Sequence, residues 1–323
     1  MCDERVEPPH RFPGGGRYRR LRPYLIERFG APAHKVTLRA GFGCPNRDGR
    51  IGRGGCIFCS EHALRPAHGL ADGPLAGQLE SGLGHIQRRH EASLAVAYFQ
   101  DGSATDAPIP RLRALWEQTL AHPRVVALSV GTRPDCVPEP ILDLLAESGA
   151  RAGKPVWLEL GLQCADDEIL ARLNRNHDSA CFADAARRAQ ARGIEVVAHV
   201  ILDLPGETGE SRSRTADLLN ELRVQGVKVH NLHVLEGTPL SRLWKAGELS
   251  LRPLEAYAAI AADFLERLSP SAVIHRLSGE GPAELMLAPD WGRDKRRILA
   301  AIDAALQKRP GWQGRLASCC RGV

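Results

Sequence analysis

The sequence has no long apolar run. Its longest apolar stretches, such as residues 94–99, are far shorter than the roughly 20 residues that a membrane-spanning helix needs. The first 30 residues contain no apolar core of the kind that a secretory signal carries. We therefore expect no membrane span and a cytoplasmic location.

Disulfide-like spacing is lacking as well. The chain has nine cysteines, an odd number, and they are not grouped as in a small secreted disulfide framework, so we expect reduced thiols. The sequence also has no G-x-G-x-x-G after a predicted strand and no phosphate-binding P-loop. Neither of these nucleotide-binding signatures is therefore available to explain its function.

Three cysteines lie in one polar, glycine-rich segment from which a fourth is missing. Eleven residues separate Cys44 from Cys56 and two separate Cys56 from Cys59, so the segment can fold back and present three thiolates to one metal centre. A closed structural zinc site takes four protein ligands, whereas an iron–sulfur cluster held by three cysteines leaves one iron open to an outside ligand. The alternatives are three ordinary reduced thiols, or half of a zinc site that is completed elsewhere.

Strand-like segments alternate with helical ones along most of the chain. The predicted strands are residues 35–38, 94–99, 125–130, 156–160, 196–202 and 227–235. Six strand–helix units with short connections predict an α/β fold, an incomplete (β/α)6 TIM-like barrel of parallel strands, because two units are missing from a full set. A further short strand is predicted at 273–275, with helices at 254–268 and 294–307.

This pattern divides the chain into three parts. Residues 1–33 are predicted to form a short basic N-terminal arm, residues 34–240 the partial barrel, and residues 241–323 a helical C-terminal extension packed on it. Polar clusters follow the predicted strands: the cysteine segment, residues 100–101, 132–133, 159–163 and 205–207, and His233. The carboxyl ends of barrel strands carry the chemistry, although a doubly wound sheet would also bind ligands there.

Several motifs together resemble the radical S-adenosylmethionine (SAM) superfamily. They are the cysteine segment with Phe58 before its last thiol, and residues 131–135 (Gly-Thr-Arg-Pro-Asp), 157–163 (Trp-Leu-Glu-Leu-Gly-Leu-Gln), 204–208 (Leu-Pro-Gly-Glu-Thr), 233–240 and 274–277. Within the superfamily the chain resembles the YhcC-like proteins, which are related to the branch of the Elongator catalytic subunit. The resemblance covers roughly residues 35–307.

The resemblance implies a set of cofactors and partners. Cys44, Cys56 and Cys59 would bind a 4Fe-4S cluster whose open iron takes the amino and carboxylate groups of SAM. Reductive cleavage of SAM would then give methionine and a 5'-deoxyadenosyl radical. An electron donor of the flavodoxin or ferredoxin type is implied as a partner. The protein would supply position and electrostatics, and the cofactors the difficult step.

The resemblance also implies SAM contacts, each with a structural alternative. Phe58 would flank the adenine, Gln100 and Asp101 would lie near the methionyl group, and Glu159 would approach the ribose. Arg133 and Gln163 complete the predicted cofactor-binding set. The alternatives are that Phe58 packs in the core, that Asp101 caps a loop, and that Glu159 pairs with Arg133.

The chain departs from the family pattern after its second strand. Residues 101–106 (Asp-Gly-Ser-Ala-Thr-Asp) stand where an aromatic and Asn-Thr pattern is usual. This departure keeps a second hypothesis open, a cluster-binding or SAM-binding module without radical turnover. The cysteines outside the segment are scattered, so a single cluster is predicted: Cys2, Cys136, Cys164, Cys181, Cys319 and Cys320.

The distribution of positive charge suggests a class of substrate. The formal net charge is +5, and arginines crowd the predicted arm together with Tyr18 and Tyr24: Arg11, Arg17, Arg19, Arg20 and Arg22. Arginines interleaved with aromatics suit contacts to phosphates and bases, which makes transfer RNA a candidate substrate. A solvated basic arm is the plainer interpretation, and the open side of an incomplete barrel would suit a peptide or protein substrate equally well.

Overall fold

The computed structural model describes residues 12–60, 73–279 and 281–317. Its strands are β1 (Ala33–Leu38), β2 (Leu94–Phe99), β3 (Val125–Thr132), β4 (Val156–Gln163), β5 (Glu195–Leu202), β6 (Gly226–Asn231), β7 (Val234–Leu235), β8 (Val273–Arg276) and β9 (Met286–Ala288). Seven of them form one parallel sheet in the order β1-β2-β3-β4-β5-β6-β8. This confirms the predicted class of a partial, TIM-like parallel barrel.

Helices lie between the strands and cover the sheet. They are α1 (Leu21–Phe29), α2 (Pro45–Asp48), α3 (Leu75–His90), α4 (Ile109–Leu120), α5 (Glu139–Ala152), α6 (Asp167–Arg172), α7 (Ser179–Gln190), α8 (Gly209–Glu221), α9 (Pro239–Lys245), α10 (Leu254–Arg267) and α11 (Lys295–Lys308). Four of them, α3, α4, α5 and α10, start directly after a proline. Proline lacks a backbone N–H and has a restricted φ, so it fits the start of a helix at no cost in hydrogen bonds.

The sheet is curled rather than open. Lys35 on β1 and Lys228 on β6 both reach the carboxylate of Glu159 on β4. In a flat sheet, strands five places apart would be roughly 24 Å from each other, given about 4.8 Å per strand. Lys35 also lies 3.1 Å from His275 on β8, so the two edge strands of the sheet face each other across the barrel.

Side chains alternate between the two faces of each strand. One face joins the large core between the sheet and the helices, to which β2 contributes Ala95, Ala97 and Phe99. The other face points into the barrel, where Val96, Trp157 and neighbouring residues pack on Leu25 of α1. Helix α1 therefore fills the barrel at the amino ends of its strands with an apolar plug.

The described part of the predicted N-terminal arm is in contact with the fold. The backbone N–H of Ile274 donates to the carbonyl of Arg19 at 2.7 Å, and Arg20 pairs in parallel with Ile274 at the free edge of β8. Gln313 accepts from the backbone N–H of Arg19 at 2.9 Å, and Tyr18 is buried. Arg11 lies outside the described residues, and the division at 33 and 240 stays a prediction.

Two details of the sheet differ from the sequence-based strands. The sixth strand was predicted to continue to Leu235, but β6 ends at Asn231, and β7 pairs antiparallel with β9 instead. The short strand predicted near 273 joins β6 as the seventh strand of the barrel.

Helix α9 was not predicted, although Thr238-Pro239 signals its start and the Thr238 hydroxyl accepts the N–H of Ser241. No helix within the described ranges is long and apolar enough to cross a membrane.

Two glycines of α3 test how closely this helix packs on the sheet. A Cβ added to buried Gly82 would lie 2.2 Å from Val36 Cγ1 on β1, whereas one added to exposed Gly77 meets no atom within 4 Å. We expect Gly82→Ala to lower the free energy of unfolding by about 1–3 kcal/mol through overpacking. Gly77→Ala should raise it by about 0.5–1 kcal/mol through helix propensity. Urea unfolding of the two variants measures both, and shifts of the same sign would contradict the packing.

Candidate functional site

One cavity of about 510 Å³ opens at the carboxyl ends of the barrel strands. All the sequence-predicted site residues line it: Cys44, Cys56, Cys59, Phe58, Gln100, Asp101, Arg133, Glu159 and Gln163. They come from the cysteine segment and from the ends of β2, β3 and β4. The structure therefore brings the predicted thiols and the predicted cofactor contacts to a single site.

The cysteine segment follows β1 and is folded by its own backbone. Cys44 precedes the one-turn helix α2, and the chain then reverses, with the N–H of Gly55 donating to the carbonyl of Asn46 at 2.9 Å. Gly55 has a φ of +75°, which favours glycine at this turn. The N–H of Ile57 donates to Leu173 at 3.1 Å, which ties the segment to the end of α6.

Asp101 anchors the start of the cysteine segment. Its carboxylate accepts from the backbone N–H of Gly41 at 2.8 Å and of Phe42 at 3.1 Å, with a longer contact to Ala40. The side chain is buried. This geometry agrees with the loop-cap alternative for Asp101, because several of its acceptor sites are occupied by the backbone that leads to Cys44.

Gly102 fixes the distance between the end of β2 and the cysteine segment. A Cβ at this position would lie 2.2 Å from the carbonyl oxygen of Gly43 and 2.6 Å from that of Phe42. Its φ is +60°, which also favours glycine. The departure from the family pattern at 101–106 therefore has a local structural role, because two of its residues hold the backbone just before Cys44.

The three thiols differ in their surroundings. Cys56 is buried, and its sulfur lies 3.1 Å from Arg175 Nη1 and 3.6 Å from Asn46 Nδ2. Burial raises the pKa of the Cys59 thiol, and the nearby Arg47 guanidinium opposes that rise. No three His, Cys, Asp or Glu side chains among the described residues are placed to hold a single metal ion. All three thiols line the cavity.

Arg175 is a site residue that sequence reasoning missed. Its Nη2 donates to the carbonyl of Gly161 at 2.8 Å and contacts His177 at 2.7 Å, which aims the guanidinium at Cys56. It lies between Asn174 and Asn176, both at positive φ. An arginine between two asparagines in a polar turn after a helix is a signal that could have been read.

The same turn clamps the cysteine segment through asparagines. Asn174 donates to the carbonyl of Gly55 at 2.7 Å, and its own carbonyl accepts from Asn46 at 2.7 Å. Asn176 donates to the side-chain oxygen of Asn46 at 2.6 Å. The segment is thus held by directed hydrogen bonds from a second loop, because a polar, glycine-rich stretch has few apolar contacts of its own.

Arg133 pairs with Asp135 and not with Glu159. Its guanidinium contacts the Asp135 carboxylate at 2.7 and 2.9 Å, and Nη2 also donates to the carbonyl of Arg175 at 2.7 Å. The alternative in which Glu159 pairs with Arg133 is therefore not what the structure shows. Arg133 Nη1 and Arg175 Nε are buried donors without a hydrogen-bond partner in the described part of the chain.

Glu159 lies at the bottom of the cavity with both carboxylate oxygens engaged. One oxygen accepts from Lys35 and Ser129, and the other from His199 at 2.7 Å and from Lys228 at 2.9 Å. Burial opposes ionisation of this carboxyl, but the Lys228 and Lys35 charges outweigh it and hold its pKa well below the usual range. Glu159 is thus an ionised partner of two lysines.

The remaining predicted residues also line the cavity. Gln163 ends β4 at a φ of +74°, after an irregularity in the pairing with β5. Gln100 follows β2 and is half-buried. Phe58 lines the cavity and also packs on the apolar cluster that includes Leu173 and Val234, which agrees with the core-packing alternative, while its contact with the adenine stays a prediction.

These residues fit an anionic sulfur-rich group better than a closed zinc site. Three soft thiol ligands suit iron–sulfur ligation. Arg133 and Arg175 both line the cavity, and each has one buried N–H group that lacks an acceptor among the described residues. Donors of this kind are satisfied by negative charge.

Comparison with known proteins gives two family matches. The Radical SAM superfamily model matches residues 41–219, and the Radical_SAM C-terminal domain model matches residues 224–308. The chain is 37% identical to the uncharacterised protein YtqA of Bacillus subtilis over 93% of this chain and 92% of that protein. It is 39% identical to protein YhcC of Escherichia coli K12 over 90% and 92%.

A solved structure shares the fold. The archaeal Methanocaldococcus infernus Elp3 with an N-terminal deletion superposes with a TM-score of 0.65, covering 87% of this chain and 64% of that chain. The two sequences are 16% identical in the aligned region. At this identity the likeness shows the fold alone.

Gly102 allows a test of how the cysteine segment is positioned. We expect Gly102→Ala to push the carbonyls of Phe42 and Gly43 away and to lower iron bound after anaerobic reconstitution several-fold. Gly54→Ala is the matched control, because Gly54 also has a positive φ but an added Cβ there meets no atom within 4 Å. Strain at φ alone costs about 1–2 kcal/mol in either variant. Iron analysis that shows equal losses in both would contradict the positioning role.

Proposed function

The chain belongs to the radical SAM superfamily, whose members use a 4Fe-4S cluster and SAM, and we propose that it cleaves SAM reductively to start radical chemistry on a substrate. The observation that carries this proposal is the single cavity that gathers three thiols, two buried guanidinium groups and the predicted SAM contacts. An electron donor of the flavodoxin or ferredoxin type and a cytoplasmic location are part of the same proposal.

Two groups of residues have different roles at this site: the cysteines hold the cluster, and the arginines supply positive charge. Cys44, Cys56 and Cys59 hold the cluster, and the bound cluster and SAM supply the reductive cleavage. Arg175 is placed to donate to Cys56 and, with Arg133, to balance negative charge in the buried end of the cavity. A guanidinium keeps its charge on burial, which suits this role.

Contacts to SAM are proposed for three further residues that line the cavity. Phe58, Gln100 and Gln163 present one ring and two amides to the cavity, which suits a ligand with a flat base and several polar groups. Asp101 acts on this site through the backbone before Cys44. Glu159 acts through the lysines that it holds, because its own acceptors are engaged.

The cysteine ligands can be tested with a cysteine control. Reconstituted wild-type protein should bind about four irons per chain in one cluster, and dithionite with SAM should yield 5'-deoxyadenosine. Cys56→Ala should lose the cluster and the product, because two thiolates cannot hold it. Cys181→Ala on α7 should keep both, since Cys181 does not line the cavity.

The outcome also separates enzyme from binding module. Protein with a reducible cluster that binds SAM but makes no 5'-deoxyadenosine would be a SAM-binding module. Protein whose cluster form binds no SAM would be a cluster-binding module. Either result would remove the enzyme proposal while leaving the family assignment intact.

Transfer RNA is the proposed macromolecular substrate, supported by the basic N-terminal segment. Only part of that segment is available for phosphate contact. Arg17 and Arg19 donate to the carbonyls of Gly311 and Ser271, and Tyr18 is buried. Arg20 and Arg22 are exposed, with one Arg20 N–H donating to the carbonyl of Gly14 at 2.7 Å, so they are the residues on which the RNA proposal depends.

The RNA proposal predicts a salt dependence with named residues. Affinity for tRNA should fall steeply between low and physiological salt, and the double variant Arg20→Ala/Arg22→Ala should lower the slope of log affinity against log salt by about two. Arg113→Ala, on the outer helix α4 and paired with Glu147, should leave the slope unchanged. An identical slope in all three proteins would exclude this segment. Mass spectrometry of tRNA nucleosides from a deletion strain and its parent would exclude a tRNA substrate if the profiles agree.

A further inference from the structure

The floor of the cavity is polar, although the layer below it is apolar. Tyr98, Glu159, His199 and Lys228 line the cavity from β2, β4, β5 and β6. Two residues earlier on three of these strands, Val96, Trp157 and Val197 belong to the apolar plug with α1. The inward-facing side chains therefore change from apolar to charged between two successive layers. This change marks the boundary between the packed core of the barrel and the cavity.

The floor has two basic side chains and one acidic side chain between them. Lys35 and Lys228 share one carboxylate, Glu159, and the described residues supply neither lysine with another ion-pair partner. Burying an excess charge costs several kcal/mol unless a partner satisfies it. Burial lowers the pKa of both lysines, against the attraction of Glu159. Apolar residues at all three positions would fill the barrel at lower cost, so the basic groups call for a functional explanation.

Lys228 lines the cavity and has one N–H donor that is not used in a hydrogen bond. Its ammonium group has three N–H donors, and two are used, by Tyr98 and Glu159, both at 2.9 Å. Lys35 differs, because it also contacts His275 and does not line the cavity. The same carboxylate therefore holds one lysine that faces the cavity and one that does not.

His199 gives the floor an acceptor beside this cation. A carboxylate only accepts, so the His199 Nε2–H must donate to Glu159 at 2.7 Å, and Nδ1 carries the lone pair. Burial lowers the pKa of His199 to about 4, which keeps the ring neutral. The floor thus offers one ammonium donor, one neutral acceptor and the Tyr98 hydroxyl.

We propose that the floor of the cavity binds an anionic group of the substrate, a carboxylate or a phosphate, through the Lys228 ammonium. The inference rests on the proposed function, because the same cavity is proposed to hold SAM at its cysteine end. The bound anion balances the second lysine charge, and the remaining Lys228 N–H donates to it. The charge-assisted hydrogen bond fixes one end of the substrate at the bottom of the barrel.

The test uses two small anions as probes. Unreduced protein with its cluster is saturated with SAM, so that the guanidinium groups at the cysteine end are occupied. Inorganic phosphate and 13C-labelled acetate are then titrated at low ionic strength and followed by 31P and 13C NMR line broadening. Saturable binding of at least one probe is expected. Phosphate preference identifies a phosphorylated or nucleotide substrate, and acetate preference a carboxylate substrate. No saturable binding of either probe overturns the inference without any variant.

Three variants of the same network distinguish the effect of direct contact with the anion from the effect of charge. Lys228→Met should lower affinity at least about tenfold, because it removes both the donor and the charge. Lys35→Met removes a charge but no direct contact with the anion, so the loss of anion affinity should be smaller. Glu159→Gln removes the carboxylate that competes with the incoming anion for Lys228, so affinity should rise at a pH where the lysine is protonated. Unchanged affinity in Lys228→Met overturns the inference.

A folding defect in Lys228→Met is controlled by a second substitution. Lys228→Arg keeps the cation and should retain binding of the preferred probe, and thermal unfolding with iron analysis checks each variant. Protein that makes 5'-deoxyadenosine but binds neither anion contradicts this inference alone. Protein that binds an anion through Lys228 but makes no 5'-deoxyadenosine contradicts the proposed function alone.

Discussion

One buried carboxylate organises the interior of this barrel. Glu159 accepts from side chains on β1, β3, β5 and β6 while standing on β4, so five strands meet at one point. A buried ionised group requires its partners, and these partners reach it only if the sheet curls. The same interaction sets the depth of the cavity, because it places a charged layer directly above the apolar plug. The floor of the site and the curvature of the fold thus have a common cause.

Sequence patterns were sufficient where a signal is local. Strands β2 to β5 are near-continuous apolar runs, as expected of strands covered on both faces, and the three thiols are distinctive through their spacing. Contacts between distant residues could not be read in this way. Glu159 meets Lys35 across 124 positions and Lys228 across 69, so its neighbours appear only once the sheet is curled. The end of β6 at Asn231 is likewise decided by β9, which pairs with β7 from far along the chain.

The two ends of the cavity use different cations. Arginines stand by the thiols, and a guanidinium stays protonated even when it is buried. A lysine stands on the floor, where burial lowers its pKa and an incoming anion would raise it again. The cysteine end therefore keeps a fixed positive charge beside the thiols, whereas the charge of the floor responds to what is bound. This division suits a site whose two ligands differ in how permanently they stay.

The pairing of the N-terminal segment with β8 has a consequence for the order in which the barrel assembles. Arg19 reaches Ile274 and Gln313, and the contact with Gln313 spans 294 positions. A chain made from its N-terminus cannot form these contacts until residue 313 has been synthesised. Contacts between such distant residues slow folding. Until the N-terminal segment pairs with β8, that strand has an unpaired edge. Gln313, which does not line the cavity, thus takes part in closing the barrel.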